Sequence, residues 1–155
     1  MKKSIFSAFL LCALCACSSS DKTEDMTMPE ISADGSDVCP VDCQRFKRGS
    51  VIAFHYQFSD NVELGGYNIE VHNNFDHHTH STSAAECEIE SEKKPVNPWV
   101  YNSDYEIPQE QQTYTATINI DIPADIDPGD YHFMVRLTDQ AGWQQLKSMA
   151  IKIEE

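Results

Sequence analysis

His72, His77, His78 and His80 fall within nine consecutive residues, and the whole chain has six histidines. Imidazole is the commonest metal ligand, and near neutral pH most of it carries a lone pair ready to coordinate. Asp76 stands inside the run. Three or four imidazoles suit zinc, copper(II) or nickel; the affinity order favours copper and availability favours zinc. The expected cofactor is therefore a transition-metal ion, zinc or copper. In extended backbone, residues two apart face the same way. His78 and His80 then form the natural ligand pair, with His77 capping from another side. Asp76 has two roles open to it, as a ligand or as the carboxylate that orients a histidine through its second N–H. The plainer alternative is a solvated histidine-rich surface with weak, adventitious affinity.

Other chemistry is sparsely represented. The chain has no Gly-x-Ser-x-Gly elbow, no phosphate loop and no HExxH helix, so it is read as a non-enzyme. Asp60, Asn61 and Asp139 could offer oxygens to calcium, but no EF-hand ligand run accompanies them and turn formation is the simpler reading. Trp99, Tyr101 and Trp143 could line a sugar site, although such aromatics more often serve as core or rim. The formal charge is −14. A polyanion of this kind repels nucleic acid and anionic lipid surfaces and attracts cations.

The elements that must carry these residues are strands. Helical periodicity is nearly absent, and period-two alternation recurs along the chain. In 51–59, Ile52, Phe54, Tyr56 and Phe58 share one face. In 67–72, Tyr67, Ile69 and Val71 point inward, and Asn68, Glu70 and His72 outward. Residues 113–122 align Tyr114, Ala116, Ile118, Ile120 and Ile122. Residues 131–138 bury Tyr131, Phe133, Val135 and Leu137, leaving His132, Met134, Arg136 and Thr138 outside. A last strand covers 144–153, with Met149, Ile151 and Ile153 inward, and 28–33 reads as an opening strand. Turn chemistry separates the runs at Asp60 and Asn61, at Pro123, at Pro128 and Gly129, and from Asp139 to Gly142. The fold class is all-β, an antiparallel β-sandwich. Residues 75–105 are too long for a plain connection and read as an insertion, with room for an extra hairpin.

Pro128, Gly129, Asp130 and Tyr131, followed by an alternating strand and then Thr138, Asp139 and Gly142, resemble the last two strands of bacterial immunoglobulin-like domains. That resemblance implies an immunoglobulin-like sandwich with a long insertion after strand C. With 67–72 as strand C and 131–138 as strand F, the two are antiparallel neighbours. His72 ends one and His132 begins the other, both outward, with Cβ atoms roughly 5–8 Å apart. The candidate ligand set thus becomes His72, His77, His78, His80, His132 and Asp76. His55 falls on the opposite sheet and is read as structural or surface.

The N-terminus sets the compartment. Lys2 and Lys3 precede a short apolar run, 5–14, too short to span a bilayer. Leu14, Cys15, Ala16 and Cys17 resemble the bacterial lipobox, which implies a signal peptide over 1–16 and lipidation of Cys17. Each buried acyl CH2 adds about 0.8 kcal/mol, and two or more chains give stable anchoring. Residues 17–28 read as an acidic flexible tether, loosely resembling an export signal of Bacteroidota lipoproteins, and 29–155 as the folded domain. Cys12 and Cys15 leave with the signal. Cys39, Cys43 and Cys87 remain in an oxidising compartment, where one bridge and one thiol is the simplest arrangement. Cys39 and Cys43 could close locally, or one of them could reach Cys87. Metal thiolates and redox chemistry are the weaker readings.

The lipobox, acidic tether, strand alternation and the VHNNFDHHTHS run (71–81) together resemble an uncharacterised family of Bacteroidota lipoproteins, described as a domain of unknown function, over 29–155. The expectation is an outer-membrane lipoprotein, facing the periplasm or the cell surface. It would capture or deliver metal for an uptake system, with the membrane and an uptake receptor as partners and no nucleic acid. The rival is a metal-free binding or adhesion module accessory to a glycan-uptake complex.

Overall fold

A computed structural model describes residues 24–79 and 87–155. The readings of the signal peptide, of Cys17 and of His80 lie outside the described residues. Those described form eight strands and no helix: β1 (Glu30–Ser32), β2 (Gln44–Lys47), β3 (Val51–Ser59), β4 (Leu64–Asn73), β5 (Tyr101–Glu106), β6 (Thr113–Asp121), β7 (Gly129–Asp139) and β8 (Gln144–Glu154). One sheet has the order β1-β3-β6, the other β2-β8-β7-β4-β5. β2 runs parallel to β8; the remaining pairings are antiparallel.

Alternation explains why the sheets face each other. Ile52, Phe54, Tyr56 and Phe58 of β3 are fully buried, as are Tyr131, Phe133, Val135 and Leu137 of β7. Phe54 stacks on Phe133 with ring centroids 5.9 Å apart, and on Tyr67 of β4 at 6.2 Å, so one ring joins the two sheets. Side chains of alternate residues can fill a common interior only when both sheets turn that face inward.

Two strands were not legible as such. β2 carries a single apolar side chain against the core, Phe46. It exists through its register with 151–154 of β8. β5 is the strand found among the described residues of the stretch expected to be an insertion. It extends the sheet as an edge, pairing Tyr101 to Glu106 with β4.

The connection from β4 to β5 is held down rather than projecting. Phe75 and Trp99 are buried. Lys93 N donates to the Phe75 carbonyl, and its ammonium sits 4.4 Å from the Phe75 ring centroid. Asp127 Oδ2 accepts from Val96 N and Asn97 N, and those two amides hold its carboxyl below the usual range. Glu90 N donates to Asp130 Oδ2 at 2.7 Å, and Lys152 Nζ lies 3.3 Å from Asp130 Oδ1. Cys43, just before β2, bridges to Cys87 in this connection, 44 residues away, and Cys39 stays a free, half-buried thiol. Local closure between Cys39 and Cys43 does not occur.

This packing corrects the expectation for the outer face of β7. His132 and Met134 were placed outside, yet they are 5% and 7% exposed. The connection covers the end of the sheet carrying Asp130, His132 and Lys152, so alternation gives the face of His132 but not its burial.

Candidate metal centre

β4 and β7 set His72 and His132 directly opposite each other in register. The strands supply two imidazoles on one face, with ring centroids 5.5 Å apart. The third comes from the chain leaving β4. Asn74 N donates to the Asp130 carbonyl at 2.8 Å, and His77 N to the Asn74 carbonyl at 3.3 Å, closing a turn. His77 has φ of 56°, the left-handed region that histidine enters more readily than most residues. The chain therefore reverses at His77, and His78 comes back over the strands. Its ring centroid lies 5.4 Å from His72 and 5.1 Å from His132.

Three imidazoles thus form a triangle. His78 Nε2 and His72 Nε2 are 3.3 Å apart. The other nitrogens are turned towards oxygen. His78 Nδ1 donates to Asp76 Oδ1 at 2.5 Å, and this hydrogen bond holds the Asp76 carboxyl below its ordinary range. His72 Nδ1 lies 3.0 Å from Glu70 Oε1. His132 Nε2 donates to the His78 carbonyl at 3.1 Å. Metal-binding histidines commonly pass their second N–H to a carboxylate or backbone carbonyl, which fixes tautomer and ring orientation. Asp76 occupies that orienting role here. Glu70 stands at ion-pair distance from His72 Nδ1, and it was not singled out in the sequence. Its signal was period two, since it precedes His72 by two residues on the same strand face.

The remaining candidates fall elsewhere. His77 turns towards Glu92, with Nδ1 3.8 Å from its Oε1. His55 lies on β3 in the other sheet, with Nε2 3.1 Å from Asp37 Oδ2. Burial raises the Cys39 thiol, which disfavours the thiolate that a metal would need. Trp99 is core, beside Tyr131. Tyr101 shares a 2.5 Å hydroxyl contact with Tyr105, and Trp143 sits on the β7–β8 turn. Trp143 is therefore set apart from the other two, and no sugar platform joins all three.

A family model described as "Domain of unknown function (DUF4625)" matches residues 15–154. The chain belongs to the DUF4625 family. No curated protein matches this DUF4625 chain. The match covers β4, β7 and the turn between them and His78, so the three imidazoles belong to the DUF4625 domain itself.

Proposed function

We propose that the protein is an outer-membrane lipoprotein, anchored through Cys17, whose domain is an immunoglobulin-like sandwich that binds a transition metal through His72, His78 and His132. It acts as the capture or delivery partner of a metal-uptake system. The sequence offers His80 as a fourth donor, two residues beyond His78.

One observation carries the reading: the spacing of the three rings. A tetrahedral zinc with bonds of 2.0–2.1 Å places ligand nitrogens about 3.3 Å apart and imidazole centroids about 5.2 Å apart. The nitrogens of His72 and His78 stand 3.3 Å apart, and the three centroid distances are 5.1, 5.4 and 5.5 Å. The spacing suits one ion shared by three imidazoles, a donor set that fits zinc or copper(II). The immunoglobulin-like reading is supported by the strand order, by the parallel β2–β8 pair, and by the Tyr131 hydroxyl, which donates to the Asp127 carbonyl at 2.6 Å. A tyrosine in that position and bond is a hallmark of such domains.

Zinc titration of the purified protein by calorimetry tests the proposal. Submicromolar binding is expected in the parent, with a loss of at least about tenfold in His78→Ala and in His132→Ala. Weak zinc and copper binding in the parent, or unchanged affinity in both variants, overturns the site and leaves a metal-free binding module.

A further inference from the structure

We infer that the opposite end of the same sheet holds a second cation site, specific for calcium, built by Asp25, Asp60 and Asp139. Asp139 stands seven positions along β7 from His132, about 23 Å at 3.3 Å per residue. The two sites are therefore independent in position and in donor type.

Three parts of the chain meet there. Asp60 lies in the turn after β3, Asp139 ends β7, and Asp25 belongs to the segment before β1. Donor oxygens of the three carboxylates all lie within 4.8 Å of one another. The two turns are tied by Gln140 N donating to the Glu63 carbonyl at 3.0 Å. Trp143 Nε1 donates to the Asp25 carbonyl at 2.8 Å, and Asn61 Nδ2 to Asp25 Oδ1 at 3.0 Å. The sequence reading placed Asp25 in a free tether; it is docked.

A cluster of acids is by itself an ordinary surface feature. What distinguishes this one is burial. Asp139 is 4% exposed. Its Oδ1 accepts from Trp143 N, while its Oδ2 is buried and accepts no hydrogen bond. Asp60 repeats the pattern: Oδ1 accepts from Val62 N and Glu63 N, and Oδ2 is buried with no donor. A buried carboxylate oxygen without a donor is costly, and a second one alongside adds repulsion between like charges. A cation between them relieves both. Three oxygens this close can share one ion. Calcium takes six to eight oxygens in flexible geometry and so tolerates a set assembled from two turns and a docked segment, whereas magnesium demands near-ideal octahedral geometry and keeps its waters. An all-oxygen set also selects a hard cation, whereas imidazoles select a softer one. Binding would fasten the segment before β1 to the two turns, so calcium would set how rigidly the domain is carried on the chain preceding it.

The test is calcium titration of the full chain by calorimetry, paired with thermal melts in calcium, in magnesium and in a chelator. The expected dissociation constant is roughly 10⁻⁴–10⁻³ M, with a higher Tm in calcium than in chelator. Asp139→Asn and Asp60→Asn should weaken calcium binding by about tenfold or more. Asp25→Asn lies outside every strand and gives the same reading if either buried variant fails to fold. Zinc binding should be unchanged in Asp25→Asn, and calcium binding unchanged in His78→Ala, so either site can fail without the other. No calcium response up to about 10 mM, an equal response to magnesium, or unchanged affinity in Asp25→Asn overturns the inference.

Discussion

His77 shows how a single residue decides which imidazoles meet. Its left-handed backbone turns its own ring away and returns His78 to the strands. Period-two reasoning assumed extended backbone through His77 and His78; a left-handed turn at His77 sets the two rings apart instead, His77 towards Glu92 and His78 towards His72. Asp76 works at the same scale, accepting from His78 Nδ1. Asp76→Asn should weaken zinc binding by about 10–100-fold with little change in fold, measured by competition with a chromophoric chelator. The pH dependence has two parts. Imidazoles must lose a proton to ligate, so zinc affinity should fall on acidification from about pH 7.5 to about 5.5. Asp76 titrates lower: its folded-state value is depressed by His78. Its contribution is present above the ordinary carboxylate range and disappears as pH falls through the lowered value. In Asp76→Asn that acid-side change should vanish from the unfolding profile.

Among the elements, the connection between β4 and β5 matters most, because it carries His78 and covers His132. The bridge from Cys43 to Cys87 pins it beside β2. Closing a loop of 44 residues restricts the unfolded chain. In the chain-entropy account this stabilises by about 4 kcal/mol. Cys43→Ser should therefore lower stability by up to about 4 kcal/mol in denaturant unfolding, and a loss below about 1 kcal/mol would show that the loop is held mainly by Phe75, Trp99 and Asp127. The core strands were legible because each writes its inward face every second residue. β2 and β5 were not, because short edge strands with few apolar side chains are defined by their partners.

At the scale of the molecule, two sheets share one aromatic interior, with a histidine triangle at one end of the β4–β7 pair and an acidic trio at the other. Phe54 touches both sheets, and Phe54→Ala should cost about 3–5 kcal/mol by thermal or denaturant unfolding. Zinc stoichiometry measured well below the transition should be unchanged, since Phe54 lines the interior and the imidazoles face outward. The large negative charge acts at this scale as well, attracting cations to both ends.

By itself the sequence determined an all-β chain, the inward faces of its main strands, and the meeting of His72 with His132. Alternation and turn residues are local signals, and antiparallel neighbours in a resembled topology bring a strand end to a strand start. Only the tertiary structure decided that His132 is covered, that Cys43 takes Cys87, that Glu70 stands beside His72, and that Asp25 joins Asp60 and Asp139. The physical reason is separation along the chain. Trp143 holds Asp25 across 118 residues and His132 meets the His78 carbonyl across 54, and no local pattern records such contacts.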